Sequence, residues 1–245
     1  MQLSKRLTAV AESVTVGSRV ADIGCDHAYI PIYLIENKIA SQVIAMDVNI
    51  GPLERARENI TRQGHDNCIH TRLSDGLHEM QPGEADTILI AGMGGALMVR
   101  ILEQGLEVVH KITELVLQPQ SELFLVRRFL HHIGFCIVRE QMLKEDGKYY
   151  VIIKAIPSVK KETYDREVFY QYGKLLLEQR EPIVKEYLRR ERRIRRKVVE
   201  ELNNNTSEKA MERLKEIEIE IDYIQEGLSY YKDTAGGVHG NNSAD

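Results

Sequence analysis

Short β-rich runs alternate with helical patterns through the first 158 residues of the chain. Five of these runs are predicted as strands, at 19–23, 42–47, 68–73, 85–91 and 114–118. Because strands joined by crossover helices form a parallel sheet with helices on both faces, the pattern predicts a doubly wound, Rossmann-like α/β domain over residues 1–158. Two further β-rich runs, 135–142 and 148–156, flank Asp146-Gly147, and this dipeptide predicts an antiparallel hairpin at the end of the sheet.

Two helices of this domain have recognisable capping residues. Asn49 is predicted to cap a helix that carries Pro52 in its first turn. Ser121 is predicted to cap a helix over 122–132, which stops at Gly134. Both helices follow predicted strands, as the crossover pattern requires.

Beyond residue 159 the β pattern disappears and apolar residues recur at helical spacing. In the last helical stretch these residues step alternately by four and three positions, which is the spacing of a coiled-coil seam. The seam positions are Ala210, Leu214, Ile217, Ile221, Ile224, Leu228 and Tyr231. A partner helix is predicted over 164–202, with a break or kink at Pro182. Its predicted seam positions are Phe169, Tyr172, Leu176, Ile183, Tyr187, Ile194, Val198 and Leu202.

A short turn connects these two predicted helices. Residues 203–205 are all Asn, and Thr206 or Ser207 is predicted to cap the returning helix. Because so short a turn forces the helices to run antiparallel, we predict an antiparallel coiled-coil hairpin over 159–231. The remaining residues, 232–245, are predicted to be a disordered tail.

The charge of the chain is unevenly distributed. The formal net charge of −4 gives no overall attraction to nucleic acid. Residues 185–197, however, carry eight basic and two acidic side chains, whereas 198–226 carry nine acidic and three basic ones. Arginine clusters supply phosphate contacts to folded RNA, so the basic run predicts RNA binding, with a solvated coiled-coil face as the alternative. The candidate RNA-binding residues are Arg189, Arg190, Arg192, Arg193, Arg195, Arg196 and Lys197.

Cysteine usage and hydropathy indicate the cellular compartment of the protein. Cys25, Cys68 and Cys136 are far apart and odd in number, which suits free thiols in a reducing compartment. No apolar run approaches the roughly 20 residues that span a bilayer, and the first residues lack the core of a signal peptide. We therefore expect a cytoplasmic protein that does not enter the membrane. No cysteine spacing indicates a metal site, and no obligate protein partner is evident.

The turn after the first strand carries the first candidate chemistry. Gly24 lies in this turn, where doubly wound sheets bind nucleotides. A dinucleotide site requires G-x-G-x-x-G, but the second and third glycine positions here are Asp26 and Tyr29. Together with Asp22, Asp26 would repel a pyrophosphate and favour a ligand that carries an ammonium group. S-adenosylmethionine, which bears both a sulfonium and an ammonium, is such a ligand.

Two more acids lie at the ends of the next strands. Asp47 ends the second strand about 20 residues beyond the glycine turn, where a carboxylate can bind the two hydroxyls of a ribose. Asp75 follows the third strand, where it can accept from the amine of an adenine while the Gly76 backbone reaches the ring. Each acid alone could be an ordinary turn residue. Together the three strand-end acids predict an adenosyl pocket, with Met46 as an apolar wall.

Three motifs and the predicted helical hairpin resemble a known family. The motifs are Asp22-Ile-Gly-Cys-Asp-His-Ala-Tyr29, Ile90-Ala-Gly-Met-Gly-Gly95 and Leu117-Gln-Pro-Gln120. From residue 1 to about residue 230, this order resembles the bacterial TrmK family. The resemblance implies a class I methyltransferase domain that uses S-adenosylmethionine to methylate N1 of adenine 22 in tRNA. It also implies that the cofactor site is lined by Asp22, Gly24, Asp26, His27, Asp47, Asp75 and Gly76.

The loop after the fourth strand is unusual in what it lacks. Enzymes that methylate an exocyclic amine commonly place Asn/Asp-Pro-Pro-aromatic here, whereas residues 91–95 read Ala-Gly-Met-Gly-Gly. Adenine N1 presents a lone pair and has no proton to lose, so a glycine loop would admit the base edge close to the methyl group. Gly92 is included among the cofactor-binding candidates. The alternative is a tight strand-to-helix turn that needs φ > 0 at Gly94 and Gly95.

The candidate catalytic residues are Asp26, His27 and Tyr29. Tyr29 and His27 begin the first crossover helix, where either ring could stack on a flipped base. The Asp26 carboxylate could stabilise positive charge that develops on the adenine. The structural alternatives are that His27 satisfies a backbone carbonyl and that Tyr29 only packs. At the end of the fifth strand, Gln118 could hydrogen-bond a base edge.

Two functions of other classes compete with the methyltransferase hypothesis. Asp47 would also hold the ribose of a nicotinamide dinucleotide, although the absent glycines count against such an oxidoreductase. The other alternative is a non-catalytic scaffold, in which the coiled coil is the functional part and the first domain is a degenerate nucleotide fold.

Overall fold

The computed structural model describes residues 3–160, 162–203 and 207–232. The chain divides into two compact units, one that extends through Leu176 and one that begins at Leu177. The sequence instead predicts a boundary after residue 158. The predicted tail lies outside the described residues except for Lys232. None of the described helices combines the length and apolar character that a membrane span requires.

The first unit is built on one seven-stranded sheet of order β3-β2-β1-β4-β5-β7-β6. Its strands are β1 Ser18–Ile23, β2 Ala40–Asp47, β3 Ile69–Leu73, β4 Thr87–Met93, β5 Glu114–Pro119, β6 Phe135–Glu145 and β7 Lys148–Pro157. The first five strands pair in parallel, and β7 pairs antiparallel with both β5 and β6. The doubly wound sheet with a terminal hairpin is therefore confirmed. Strands β1 and β5 and the first four residues of β4 are almost entirely buried, as expected for the centre of a sheet that helices cover on both faces.

Helices connect and cover the strands of this sheet. They are α1 Lys5–Ala11, α2 Tyr29–Glu36, α3 Ile50–Gln63, α4 Gly95–Gln104, α5 Leu106–Val109, α6 Leu123–His132, α7 Glu167–Tyr172 and, across the boundary, α8 Lys174–Glu178. Asn49 stands at the N-cap of α3 as predicted, but its side chain makes no capping hydrogen bond.

The prediction that Ser121 caps α6 is wrong. Glu122 is the N-cap residue, with φ 51°. The backbone here serves the neighbouring helix instead, because the Ser121 carbonyl accepts from Gly95 N at 3.1 Å and Glu122 Oε2 accepts from Ala96 N at 3.1 Å. The start of α6 is therefore set by its contact with the start of α4.

A buried arginine explains why α7 belongs to the first unit. Arg127 on α6 is fully buried and donates to Glu140 Oε1 at 2.8 Å. It also donates to the carbonyls of Tyr170 at 2.7 Å and Gln171 at 3.0 Å. These carbonyls lie in the last turn of α7, where no intrahelical partner is available to them. The domain boundary predicted after residue 158 does not account for this contact, because the hydrogen bond joins residues more than 40 positions apart.

The second unit is a pair of long helices, α9 Pro182–Leu202 and α10 Glu208–Ser229. They run antiparallel, since Arg195 Nε donates to Glu220 Oε2 at 2.5 Å and the Tyr231 hydroxyl donates to the Glu181 carbonyl at 3.1 Å. Ser207 caps α10 by accepting from Ala210 N, as predicted. Thr206 and the turn residues 204–205 lie outside the described residues.

The seam predicted for the outgoing helix is shifted by one residue. Val184 and Leu188 are fully buried, whereas Ile194 is 39% exposed. The predicted break at Pro182 is confirmed, because α8 ends at Glu178 and Pro182 begins α9. On α10 the predicted positions Ala210, Ile217 and Ile224 are buried. The coiled-coil geometry itself stays a prediction.

Candidate active site at the carboxyl edge of the sheet

A cavity of about 670 Å³ opens at the carboxyl ends of the parallel strands. The cavity brings together the three strand-end acids Asp22, Asp47 and Asp75, as the sequence predicts for neighbouring parallel strands. Asp22 and Asp47 lie on adjacent strands, since Asp22 pairs with Ala45 and Ile23 with Met46. The other predicted cofactor or catalytic residues in the lining are Gly24, Asp26, Tyr29, Gly76 and Gly92.

The turn from β1 to α2 is held in a left-handed conformation at three positions. Gly24, Asp26 and Ala28 have φ values of 77°, 45° and 58°. The amides of Gly24 and Cys25 both donate to the Met46 carbonyl, at 2.8 and 3.0 Å. With φ 77°, Gly24 has a backbone conformation that residues with a Cβ rarely adopt, so this turn favours glycine. Non-glycine residues with positive φ are strained, and such strain concentrates at functional sites.

Asp22 is the most perturbed acid of the cavity. Its side chain is almost fully buried and makes no hydrogen bond to any described residue. Burial, followed by the charge of Asp47, raises the pKa of Asp22 to about 7. A bound cation would reverse this effect by stabilising the carboxylate. The cavity is thus prepared for a positively charged group beside Asp22.

The two other strand-end acids are more accessible. Asp47 is half-buried, and its Oδ1 accepts from the Asn49 amide at 2.9 Å, which orients the carboxylate at the end of β2. Asp75 is exposed and stands next to Gly76, where φ is 57° and a Cβ would lie 3.0 Å from Ile101. The Gly76 backbone therefore approaches the cavity more closely than a larger residue allows.

The glycine-containing end of β4 carries a bulge in the sheet. Ala91 pairs with Gln118 and Met93 pairs with Pro119, so Gly92 is an extra residue with φ 83°. A Cβ on Gly92 would lie 3.6 Å from Gln120 Nε2 and 3.7 Å from Arg6 Nη1. Gly92 thus leaves an open strip of backbone between two polar side chains in the cavity wall.

His27 and Met46 do not line the cavity. His27 lies behind Tyr29, with ring centroids 5.2 Å apart in a stacked arrangement, and its Nε2 is 3.5 Å from Asp26 Oδ1. Met46 is fully buried and is not among the residues that line the cavity, so its role as an apolar wall stays a prediction. Tyr29 is 40% exposed and reaches the cavity directly.

Five polar lining residues were not identified as site residues from the sequence. They are Arg6, Asn49, Ser74, Arg100 and Gln120. Gln118, which the sequence suggests as a base contact, is fully buried and instead accepts from Arg6 Nη1 at 2.7 Å. Gln120 belongs to the Leu117–Gln120 motif, whereas no sequence spacing indicates Arg6 or Arg100 as site residues.

The basic run lies on α9, and its side chains differ in their surroundings. Arg195 is not free, because it pairs with Glu191 and Glu220, each at 2.5 Å. Arg190 pairs with Glu191 at 3.1 Å. The remaining candidates make no ion pair with any described residue, and all but the half-buried Arg192 are exposed; they are Arg189, Arg192, Arg193, Arg196 and Lys197. Since Arg189, Arg193 and Arg196 recur at helical spacing, they share one side of α9, which we call the basic face together with Arg192 and Lys197.

The described residues contain no group of three or more His, Cys, Asp or Glu side chains arranged to hold a metal ion. The cavity instead offers carboxylates, exposed glycine backbone and one exposed aromatic ring. These groups are suited to bind an organic cation.

Comparisons with known proteins agree with this site. Residues 3–153 match the family model of a methyltransferase domain. A Bacillus subtilis protein named tRNA (adenine(22)-N(1))-methyltransferase is 40% identical over 165 residues, which cover 67% of this chain and 69% of the relative.

Solved structures extend the match into the second unit. The crystal structure of the B. subtilis m1A22 tRNA methyltransferase TrmK is 32% identical, covers 93% of this chain and 99% of its own, and has a TM-score of 0.85. A Streptococcus pneumoniae protein solved in complex with S-adenosyl-L-methionine is 33% identical, covers 93% and 100% of the two chains, and has a TM-score of 0.80. The chain therefore belongs to the TrmK family of methyltransferases.

Proposed function

We propose that this protein transfers a methyl group from S-adenosylmethionine to N1 of adenine 22 in tRNA. The observation that carries the proposal is the convergence of three strand-end acids on one cavity in a chain that belongs to the TrmK family. A B. subtilis relative is named for this reaction. The nicotinamide alternative has no comparable support, since Asp26 and Tyr29 occupy the positions where a dinucleotide site needs glycine.

The cavity suits S-adenosylmethionine by the chemistry of its lining. Asp22 is a buried carboxylate that lines the cavity, lacks a partner among the described residues and would bind the ammonium group of the cofactor. Asp47 would bind the ribose hydroxyls, and Asp75 with the Gly76 backbone would bind the adenine. Gly24 provides the left-handed turn that carries the chain along the cavity, with φ 77°. When bound, S-adenosylmethionine supplies a methyl group on a positively charged sulfur.

The residues of this chain act chiefly by positioning and electrostatics. Adenine N1 attacks the methyl carbon with its in-plane lone pair as the carbon–sulfur bond breaks, so no residue has to remove a proton. The bulge at Gly92 would let the base edge approach the methyl group, and Tyr29 would stack on the flipped base. Positive charge develops on the adenine, and the exposed Asp26 carboxylate is suited to stabilise it.

The buried Asp22 carboxyl predicts a pH dependence for cofactor binding. With a pKa of about 7, Asp22 must lose its proton before it pairs with an ammonium group. The affinity for S-adenosylmethionine should therefore rise about tenfold per pH unit below pH 7 and level off above it. Calorimetry between pH 5.5 and 8 measures this profile. Asp22→Asn should bind more weakly and show a flat profile, and an unchanged slope in that variant would exclude Asp22 as the titrating group.

The same pKa has a consequence for the stability of the protein without ligand. The folded-state pKa of Asp22 lies above the ordinary value of 3.8. The folded state therefore binds its proton more tightly, and the contribution of Asp22 to stability is present below about pH 4 and lost as the pH rises toward 7. Urea unfolding of the wild type and of Asp22→Asn at pH 5 and pH 8 provides an independent control, because the wild type should lose more stability across this range.

The glycine loop predicts the product of the reaction. If the loop admits N1, as we propose, and does not hold the exocyclic amine, tRNA treated with the protein should contain 1-methyladenosine. Nuclease digestion followed by mass spectrometry distinguishes this nucleoside from its isomers. Methyl groups on the exocyclic amine or on guanine would contradict the argument from residues 91–95.

We further propose that the basic face of α9 binds the tRNA backbone and that the protein acts in the cytoplasm. Five basic side chains without an ion pair in the described chain support the first point. The three free cysteines support the second.

The scaffold alternative predicts that no ligand binds at the strand-end acids. A thermal-shift measurement with S-adenosylmethionine therefore separates it from the enzyme, because a ligand at 100 times its Kd stabilises the folded protein by about 2.7 kcal/mol.

A further inference from the structure

The N-terminal helix and the tip of the terminal hairpin meet beside the cavity. Glu145 at the end of β6 accepts from the backbone amides of Lys5 at 2.6 Å and Arg6 at 3.4 Å. This contact joins α1 to the hairpin and holds the backbone of Arg6 beside it. We call this surface the α1–hairpin edge, and it comprises Lys5, Arg6, Lys144, Lys148, Tyr149 and Tyr150.

The α1–hairpin edge combines positive charge with aromatic rings. Lys5, Lys144 and Lys148 are exposed. Lys144 Nζ lies 5.2 Å from the centre of the Tyr149 ring, and the Arg6 guanidinium lies 5.3 Å from that of Tyr150. The Glu145 carboxylate is engaged by the α1 amides, so its charge is partly offset. Basic side chains interleaved with aromatic ones are typical of surfaces that bind RNA.

Arg6 connects this edge to the cavity. It lines the cavity next to Gly92, and its Nη1 donates to Gln118 Oε1 at 2.7 Å. Gln118 is fully buried, and its Nε2 donates to the Pro119 carbonyl at 3.2 Å, which fixes the amide that orients the guanidinium. The other guanidinium nitrogens of Arg6 make no hydrogen bond to the described residues. A planar guanidinium held in this way is suited to a phosphate.

We propose that the α1–hairpin edge is a second RNA-binding surface, and that Arg6 holds the backbone phosphate of the nucleotide whose base enters the cavity. This proposal rests on the proposed function. Four aspartates line the cavity and repel a phosphate, while Arg6 and Arg100 are its basic lining residues among those described. A cation at the wall is therefore needed where the nucleotide enters. The lysines, which do not line the cavity, continue this positive charge beyond it, and the two tyrosines add aromatic surface beside them.

The lysines provide a test that leaves the buried residues intact. Lys5→Gln/Lys148→Gln should raise the KM for tRNA roughly tenfold and reduce the slope of log affinity against log salt by about one per lysine. The affinity for S-adenosylmethionine and the melting temperature should not change. Lys38→Gln/Lys111→Gln is the matched control, because both lysines are exposed and precede strands at the opposite edge of the sheet. Equal tRNA kinetics in the two double variants would overturn the proposal.

Arg6 requires a separate pair of variants. Arg6→Met should raise the KM for tRNA at least tenfold, and Arg6→Lys should restore part of the loss, because lysine keeps the charge but not the planar fork. Arg6→Lys also keeps the proposal testable if Arg6→Met unfolds. Weaker cofactor binding with an unchanged KM for tRNA would overturn the proposal, because it would assign the guanidinium to the carboxylate of the cofactor.

The proposed function and this inference fail in different ways. If the wild type forms no 1-methyladenosine, the proposed function is wrong. If the wild type forms it and the lysine and Arg6 variants keep the wild-type KM for tRNA, only the second RNA-binding surface is wrong.

Discussion

Replacing Arg189, Arg192, Arg193 and Arg196 with glutamate is expected to reduce kcat/KM for tRNA by about a thousandfold or more. Each arginine that neutralises a phosphate releases most of one counterion, so four contacts account for roughly three orders of magnitude in affinity near physiological salt. Glutamates at the same positions add repulsion. The Kd for S-adenosylmethionine should stay unchanged, since the residues that line the cavity all lie between positions 6 and 120.

The choice of residues for this variant depends on the structure. The sequence assigns Arg195 to the RNA-binding set, but this side chain pairs with Glu191 and with Glu220 on α10. Reversing Arg195 would place a third carboxylate among these acids and weaken the helix pair itself. Leaving Arg195 in place keeps the loss of RNA binding separate from a loss of folding.

A matched control preserves the charge. Arginine-to-lysine substitution at the same four positions should retain most of the tRNA affinity, because phosphate attraction depends mainly on charge. Circular dichroism verifies the helices of both variants. Salt dependence that persists undiminished in the glutamate variant would show that tRNA is held elsewhere, and the basic face would then be a solvated helix surface.

Asp47→Ala is expected to weaken S-adenosylmethionine binding roughly 10- to 150-fold, since hydrogen bonds to a charged group contribute about 1.5–3 kcal/mol. The fold should tolerate the change, because Asp47 is half-buried and accepts a single backbone hydrogen bond, from Asn49. Calorimetry measures the affinity, and Asp66→Ala is the control, since Asp66 is an exposed acid of a turn in the same unit. Wild-type affinity in a folded Asp47→Ala protein would remove Asp47 from the site.

The same variant should also change the pH profile. The charge of Asp47 is the second cause, after burial, of the raised pKa of Asp22. Removing that charge should lower the pKa of Asp22 and move the midpoint of the cofactor-binding profile to lower pH. A midpoint that does not move would show that the two carboxylates are not coupled.

The sequence predicts the sheet and its acids because both depend on local order along the chain. Strand periodicity locates β1, β2 and β3, and parallel pairing then places Asp22, Asp47 and Asp75 at one edge. The same reasoning does not separate Met46 from Asp47, although Met46 is fully buried and only Asp47 lines the cavity, because neighbouring residues of a strand point to opposite faces. The pattern of residue types along the chain therefore locates the carboxyl edge of the sheet, whereas the orientation of each side chain depends on packing.

The remaining errors come from contacts between distant segments. Arg6 joins the cavity wall because Gln118, 112 positions away, accepts its hydrogen bond. Arg127 binds the last turn of α7, which shifts the unit boundary beyond the predicted residue 158. Such ties have no periodicity, so the sequence pattern does not indicate them.

Mapping the position of the methyl group on tRNA tests directly whether this protein methylates adenine 22. Two tRNA transcripts that differ only at position 22, one with adenine and one with guanine, are incubated with the protein and radiolabelled S-adenosylmethionine. We expect label in the adenine transcript alone, as 1-methyladenosine at position 22. With the Asp47→Ala variant and limiting cofactor, this label should be lost. Equal labelling of both transcripts, or label at another position, would contradict the assignment of this cavity to adenine 22.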